Sequence, residues 1–98
     1  MMWLIVAFDI PVEDKKGYRS FRKLLIYSGF HMVQKSLYWR WIDSPERVES
    51  IRNRLKAGVK TGHLLLFQCS ERSFRKSLQV RDSIPESLPK IPDPWLIF

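Results

Sequence analysis

A single carboxylate follows the most apolar segment near the start of the sequence. Six apolar residues run from Trp3 to Phe8, and Asp9 comes next, directly before Ile10 and Pro11. Mg²⁺ prefers carboxylate oxygens of this kind, but an Asp beside a turn can equally bond the backbone N–H groups of that turn. The residues alone leave both interpretations open, and Asp9 is the candidate catalytic and metal-binding residue of the chain.

One carboxylate per chain is a sparse metal site, because Mg²⁺ takes one or two carboxylates together with waters and phosphate oxygens. Two copies related by a two-fold axis would each bring an Asp9 to one shared ion. Such an ion lowers the pKa of a bound water and neutralises charge that develops on a phosphodiester. The hypothesis is metal-dependent phosphodiester hydrolysis with Asp9 as a ligand and not as a base.

Positive charge is the second feature with chemical meaning. The 98 residues include 17 Lys and Arg against 10 Asp and Glu, a net charge of +7. This surplus favours polyanions, chiefly nucleic-acid backbones, although solvated helix faces are the alternative. The predicted phosphate contacts are Lys15, Arg19, Arg22, Arg75 and Lys76. No base-reading element is evident, so we expect recognition of shape and phosphate with little sequence preference.

Several other classes of site find little support. Cys69 is the only cysteine, so an internal disulfide and a cysteine-based zinc site are excluded, which suits a reducing cytoplasm. The glycines are scattered and form no phosphate-binding loop. His31 and His63 have no ligand spacing and are interpreted as strand-surface residues. No signal peptide is evident, and no apolar run reaches the ~18 residues of a membrane span.

Hydrophobic patterning predicts the elements that position these residues. Three segments have strand character, the first and last without a polar break: 2–10, 30–42 and 62–69. Two segments have apolar residues at helical spacing and precede a glycine: 13–28 and 44–57. The middle strand segment is expected to break near Lys35 and Ser36. Segment 70–80 is predicted to form a turn, a short helix and a short last strand.

This order of elements predicts the α+β class and a ferredoxin-like βαββαβ sandwich, with a four-stranded antiparallel sheet and two helices on one face. The two unbroken apolar segments, 2–10 and 62–69, are expected to be the inner strands. Two helices cover only one face, although both of these strands are apolar on both faces. A second copy of the chain is therefore expected to cover the other face, in a homodimer packed sheet to sheet.

Residues 1–82 are predicted to form this domain, and residues 83–98 a proline-rich C-terminal tail. The tail holds four of the six prolines, so no regular element is expected in it before the last four residues, Trp95–Phe98. An apolar end of this kind is expected to dock on the chain's own sheet or on a partner.

Three stretches carry a resemblance to a known family. "VAFDIP" closes an apolar strand on Asp9, and "GYRSFRKLLIYSGFHMVQKSLY" gives a basic helix, a Gly-aromatic stop and a Gln-x-Ser bend. With "GHLLLFQCSERSF", this ordered set resembles the CRISPR-associated protein 2 family over about residues 2–80. That family is the small non-integrase subunit of the spacer-acquisition machinery. Lys35 departs from its pattern, because many members carry Tyr there.

The resemblance implies a cytoplasmic, ferredoxin-like homodimer whose short last strand, here 78–81, pairs with the partner's sheet. It implies a metal-dependent endonuclease acting on RNA or double-stranded DNA, with Asp9 ligating Mg²⁺ between the subunits. It also implies a scaffold in spacer acquisition (CRISPR adaptation) that binds the CRISPR integrase and holds duplex DNA, a role that needs no cleavage. The apolar tail is then a candidate docking element for the integrase.

Two further classes with related domains stay open. One is a toxin-type ribonuclease, and the other is a repressor in which the domain is fused to a DNA-binding domain. The absence of a helix-turn-helix pattern weighs against the repressor. A toxin requires catalysis whereas an acquisition scaffold requires only binding, so Asp9→Asn separates these two.

Overall fold

The computed structural model describes residues 1–93, so the apolar end at 95–98 lies outside the described residues. The elements are β1 (Met2–Asp9), α1 (Lys15–Tyr27), β2 (His31–Gln34), β3 (Leu37–Ile42), α2 (Pro45–Gly58), β4 (His63–Cys69), α3 (Glu71–Arg75), β5 (Gln79–Arg81) and β6 (Ile84–Glu86). The predicted break between the middle strands is confirmed at Lys35 and Ser36. The carbonyl of Ser36 accepts a hydrogen bond from the N–H of Phe8 at 3.1 Å, which places this bend beside the end of β1.

The four long strands form one antiparallel sheet in the order β2-β3-β1-β4. Helices α1 and α2 pack on one face of it, which confirms the predicted ferredoxin-like α+β sandwich. The prediction that 62–69 is an inner strand is wrong, because β3 is the second inner strand and β4 is an edge. The unbroken apolar run of β4 has another cause: Leu64 and Leu66 face the helices while Leu65 and Phe67 face the opposite side.

The helix-covered face holds the core. Leu4, Val6 and Phe8 alternate along β1 and are buried against Phe21 and Leu25 of α1. Each fully buried side chain of this size contributes about 1.5–3 kcal/mol relative to the exposed state. This apolar face, and not helix propensity, therefore holds α1 on the sheet.

Helix α1 begins two residues later than the sequence suggests. Asp14 is its N-cap and accepts a hydrogen bond from the N–H of Gly17 at 2.9 Å. The Thr61 hydroxyl donates to the other carboxylate oxygen of Asp14 at 2.6 Å, so the cap also holds the loop before β4. The Thr61 bond first, and then the Gly17 bond, lower the pKa of Asp14.

The opposite face of the sheet, which we call the open face, is also apolar. Ile5 and Ala7 of β1 lie on it half-buried, beside Leu65 and Phe67 of β4, which are 44% and 47% exposed. Its far end is covered, because α3 stacks Phe74 on Trp3 with ring centroids 4.2 Å apart, and Pro89, Lys90 and Pro92 of the tail line a cavity with Trp39 and Trp41. Leu65 and Phe67 remain in contact with solvent.

The C-terminal tail contains a strand that the sequence analysis did not predict. Strand β6 pairs antiparallel with β5 in a hairpin whose turn residues, Asp82 and Ser83, both have positive φ, 52° and 68°. Such a turn matches the twist of a two-residue hairpin, so a regular element does form within 83–98. Pro85 is tolerated because β6 belongs to a two-stranded sheet, where an edge position needs no N–H for the ladder.

Among residues 1–93, none of the helices combines the length and the apolar character that crossing a lipid bilayer requires.

Candidate active site and nucleic-acid interface

Asp9 is the last residue of β1, and its side chain is exposed on the open face. Within residues 1–93, the Asp9 carboxylate takes part in no hydrogen bond or salt bridge. The turn after β1 is instead closed by backbone, since the N–H of Asp14 donates to the carbonyl of Pro11 at 2.9 Å. The interpretation of Asp9 as a turn-bonding residue therefore finds no support in the geometry.

The start of β4 lies against Asp9. Gly62 has φ +82°, and a Cβ atom there would lie 2.1 Å from the Asp9 carbonyl oxygen, so the close approach requires glycine. The next residue, His63, pairs with Asp9 across the two strands. Directly paired residues share a face with Cβ atoms about 4.5–5.5 Å apart. His63, interpreted from the sequence as a strand-surface residue, is thus a neighbour of Asp9. The two residues are too far apart in sequence for a local motif to indicate this proximity.

One chain offers too few ligand side chains to hold a metal ion by itself. Within the described residues no three His, Cys, Asp or Glu side chains gather closely enough to hold a metal. Mg²⁺ uses one or two carboxylates and completes its shell with water and phosphate oxygens, so Asp9 fits as one of two carboxylates but not as a complete site. An imidazole such as that of His63 is a poor Mg²⁺ ligand and suits a proton-handling role better.

Three of the predicted phosphate contacts lie together. Lys15, Arg19 and Arg22 are exposed on the outer surface of α1, spaced so that they follow one side of the helix. In the part of the chain that is described, none of the three forms a salt bridge. Their charges are therefore available to a polyanion.

Arg75 and Lys76 lie elsewhere, on and just after α3, which packs on the open face. Arg75 is engaged within the chain: it pairs with Glu71 at 3.1 Å, lies 5.2 Å from the centroid of the Phe74 ring and donates to the Pro89 carbonyl. Lys76 is exposed and ends α3. One chain therefore brings Lys15, Arg19 and Arg22 together and leaves Arg75 and Lys76 on the other side of the sheet.

The order of the elements and the sheet define the class as a ferredoxin-like α+β domain whose first strand ends in an exposed carboxylate. A family model described as CRISPR associated protein Cas2 matches residues 2–77, and the chain belongs to this family. The resemblance drawn from the sequence is thereby confirmed.

Three relatives are named CRISPR-associated endoribonuclease Cas2. The protein of Lacticaseibacillus rhamnosus is 48% identical over 79 residues, which are 76% of this chain and 77% of the relative. That of Streptococcus mutans is 33% identical over 81 residues, 79% of this chain and 74% of the relative. That of Paracidovorax avenae is 26% identical over 102 residues, 100% of this chain and 94% of the relative.

A solved structure supports the fold. The crystal structure of Streptococcus pyogenes Cas2 at pH 6.5 superposes with a TM-score of 0.66 and 18% identity, over 82% of this chain and 100% of that one. At this identity the likeness bears on the fold alone, and the chemistry of this chain must be argued from its own residues.

Proposed function

We propose that this chain is a homodimeric Cas2 subunit of CRISPR adaptation (spacer acquisition) that binds duplex DNA through its phosphates, and that paired Asp9 carboxylates form a Mg²⁺-dependent endonuclease site. The observation that carries the proposal is that Asp9 ends β1 exposed on the same open apolar face as Leu65 and Phe67, with no partner for its carboxylate among residues 1–93. A second copy seated on this face would bury the apolar surface and bring a second Asp9 to the seam.

The open face supports a self-complementary interface. In a two-fold dimer each copy presents the same patch, so one apolar patch is sufficient for both sides. Phe67 at 47% exposure is the kind of aromatic anchor that dominates interface energetics. Among residues 1–93, no strand pairs with the outer edge of β4 or with the second edge of β5, so strand pairing between copies would extend the same interface.

Asp9 would hold the ion together with its counterpart from the second copy, and a bound Mg²⁺ supplies charge neutralisation at a phosphodiester and a water of lowered pKa. The chain's own residues position these groups. Gly62 lets β4 approach Asp9, and His63 lies beside it, able to donate a proton to a leaving oxygen. The relatives' names favour RNA as the substrate of this centre.

Nucleic-acid binding would use the outer surface of α1, where Lys15, Arg19 and Arg22 offer three charges that form no salt bridge within the described chain. In a dimer these residues would occur twice, so a duplex could contact both copies through its backbone. Arg75 and Lys76 of α3 would join the same surface only through the partner, since within one chain they lie on the other side of the sheet. The CRISPR integrase is the proposed protein partner of this scaffold.

Cleavage is tested with the Asp9→Asn variant and a labelled single-stranded RNA in the presence of Mg²⁺. Loss of the carboxylate should lower the cleavage rate by at least about 100-fold, and EDTA should abolish cleavage by the original chain. Glu46→Gln is the matched control, because Glu46 is an exposed carboxylate in the first turn of α2. Equal rates for the two variants would remove Asp9 from the reaction.

Scaffolding is tested separately, with a duplex and with the integrase. Log affinity for duplex DNA should fall linearly with log salt, and Arg19→Gln and Arg22→Gln should each reduce the slope by about two, because each substitution removes one contact from each copy. Asp9→Asn should retain duplex binding, integrase co-purification and spacer uptake in cells. A toxin-type ribonuclease would instead lose its effect on cells with this variant and would not co-purify with the integrase.

A further inference from the structure

Three arginines meet on the helix-covered side of the sheet, away from the outer surface of α1. Arg40 lies in the middle of β3, and Arg47 and Arg54 come from α2. Along α2 the two arginines and Ser50 are spaced i, i+3 and i+7, which places them on one side of the helix. With Ile51 they line a cavity of about 210 Å³. Residues distant in sequence thus bring three guanidinium groups to one small space.

Backbone and hydroxyl groups of the chain, not carboxylates, fix two of these side chains. Arg40 donates to the carbonyl of Ser28, which is 2% exposed, and Arg54 donates to the hydroxyl of the same residue at 3.3 Å. Gly29, with φ +85°, keeps room for Arg40, since a Cβ atom there would lie 2.9 Å from its Nη1 atom. The guanidinium groups are therefore preorganised before any ligand arrives, which lowers the entropic cost of binding.

The charges around the cavity do not balance. In residues 1–93 the one salt bridge to these arginines joins Arg47 to Asp43 at 3.9 Å, between half-exposed side chains. Three positive charges therefore meet one negative charge. Burial lowers the pKa of Arg40, and Arg47 and Arg54 lower it further against the opposite effect of Asp43. An anion in the cavity would relieve this repulsion.

A purely structural role explains only part of the cluster. Cations near the C-terminal end of a helix bind its last carbonyls and interact favourably with its dipole, which accounts for the contacts of Arg40 and Arg54 with Ser28 at the end of α1. Among residues 1–93, no hydrogen bond joins Arg47 to Ser28, and the pairing with Asp43 engages only one of the two terminal nitrogens of the Arg47 guanidinium. The third arginine thus needs another explanation.

We propose that Arg40, Arg47 and Arg54 form a phosphate-binding site at the C-terminal end of α1, for a phosphate group that is free, carried by a nucleotide or placed at the end of a nucleic-acid strand. Guanidinium forks match the oxygens of phosphate in bidentate geometry. The cavity is smaller than the roughly 300–1,000 Å³ of sites that enclose organic ligands. A doubly charged phosphate monoester would also match the two uncompensated charges.

Calorimetric titration of the full-length protein with inorganic phosphate at low ionic strength tests the site. One saturable event per chain is expected, weakened about tenfold or more by Arg47→Gln and by Arg54→Gln. Arg52→Gln is the matched control, because Arg52 lies on another side of α2 and pairs with Glu49. It should change the affinity less than twofold. Absence of saturable binding, or equal weakening by the control, overturns the proposal.

Two additional variants sharpen the result. Asp43→Asn removes the competing carboxylate and should strengthen phosphate binding several-fold. Asp9→Asn should leave it unchanged, so failure of this site and failure of the proposed nuclease are distinguishable. Phosphate binding that weakens with Asp43→Asn would contradict the charge argument and overturn the assignment.

The source of the phosphate is separated by comparing single strands of one sequence with a 5′-phosphate or a 5′-hydroxyl end. A tenfold preference for the phosphorylated strand that disappears with Arg47→Gln identifies a strand end as the ligand. Equal affinity for both strands, with Arg47-dependent binding of inorganic phosphate retained, identifies a small phosphorylated compound. Either result supports the site.

Discussion

The two faces of the central sheet are built from similar residues but end in different environments. On the helix-covered face, Leu4 and Val6 of β1 are completely buried by α1 and α2. On the open face, Ile5 and Ala7 alternate with them along the same strand, yet they and Leu65 keep contact with solvent. Apolar composition therefore does not distinguish the face that the helices bury from the face that stays partly exposed.

This difference predicts that truncations on the two faces affect stability in different ways. A truncation in the helix-covered face removes contacts made within one chain, so it should lower the free energy of unfolding of a monomer. A truncation in the open face removes surface that becomes buried only in the proposed dimer, so its effect should depend on protein concentration. The first three predictions test this contrast, and a fourth tests how the helical layer is attached.

The largest effect is expected for Leu4→Ala. Leu4 is fully buried, and such truncations lower the free energy of unfolding by about 2–5 kcal/mol because they leave a cavity. Urea denaturation at dilute protein concentration measures it. Leu65→Ala, on the paired strand but in the open face, should cost under about 1 kcal/mol under the same conditions. Equal losses would contradict the contrast between the faces.

A charge in the open face should break the proposed dimer. Phe67→Asp places a carboxylate where a second copy would exclude water, so the dimer dissociation constant should rise by about 100-fold or more. Sedimentation velocity over a concentration series measures this change. Ile26→Asp is the control, because Ile26 is 52% exposed on α1 in the helical layer. A similar shift in both variants would place the interface elsewhere.

Substitution of Tyr38 is expected to change the free energy of unfolding by a smaller amount and in the opposite direction. Its side chain is fully buried on the helix-covered face, and its hydroxyl has no hydrogen-bond partner in the part of the chain that the structure describes. Tyr38→Phe should therefore raise the free energy of unfolding by about 1 kcal/mol. Tyr18→Phe is the matched control and should lower it slightly, since the Tyr18 hydroxyl donates to the Lys35 carbonyl at 3.0 Å. A loss of stability in Tyr38→Phe would indicate an unrecognised partner.

The smallest effect concerns the attachment of α1 to the loop before β4. The hydrogen bonds to Asp14 hold its pKa below the ordinary value of 3.8, so this carboxylate stabilises the fold above that pH. The contribution should disappear as the pH falls through the lowered value in the folded chain. The difference in Tm between the original chain and Asp14→Ala, followed from about pH 6 to about pH 2, should therefore shrink at the acid end.

Much of the fold could be predicted from the sequence because its signals are local. Unbroken apolar runs, helical spacing and the glycines after each helix gave α1, α2 and the four long strands within two residues of their bounds. The inner position of β3 could not be read in this way, because Arg40 interrupts its apolar pattern and β4 is the more apolar strand. Strand β6 could not be predicted, because the prolines of the tail argue against a regular element and the turn is formed by Asp82 and Ser83.

The residues of the candidate site were likewise predictable only where the sequence signal is local. Asp9 stood out because it closes an apolar run, and the cations of α1 stood out through their spacing. His63 did not, since only strand pairing brings it beside Asp9. Arg47 and Arg54 could not be singled out from the sequence, because the position of Ser28 and Arg40 decides which side of α2 meets the end of α1.

The hairpin of β5 and β6 has a further consequence. Left-handed backbone at two successive non-glycine residues, Asp82 and Ser83, costs about 1–3 kcal/mol for each, and a two-stranded ribbon has little core to offset it. This ribbon is then the first part of the chain to open when conditions become harsher. Proteolysis and hydrogen exchange should detect this opening under conditions milder than those of global unfolding. Strand β5 would then be free to pair with a strand other than β6.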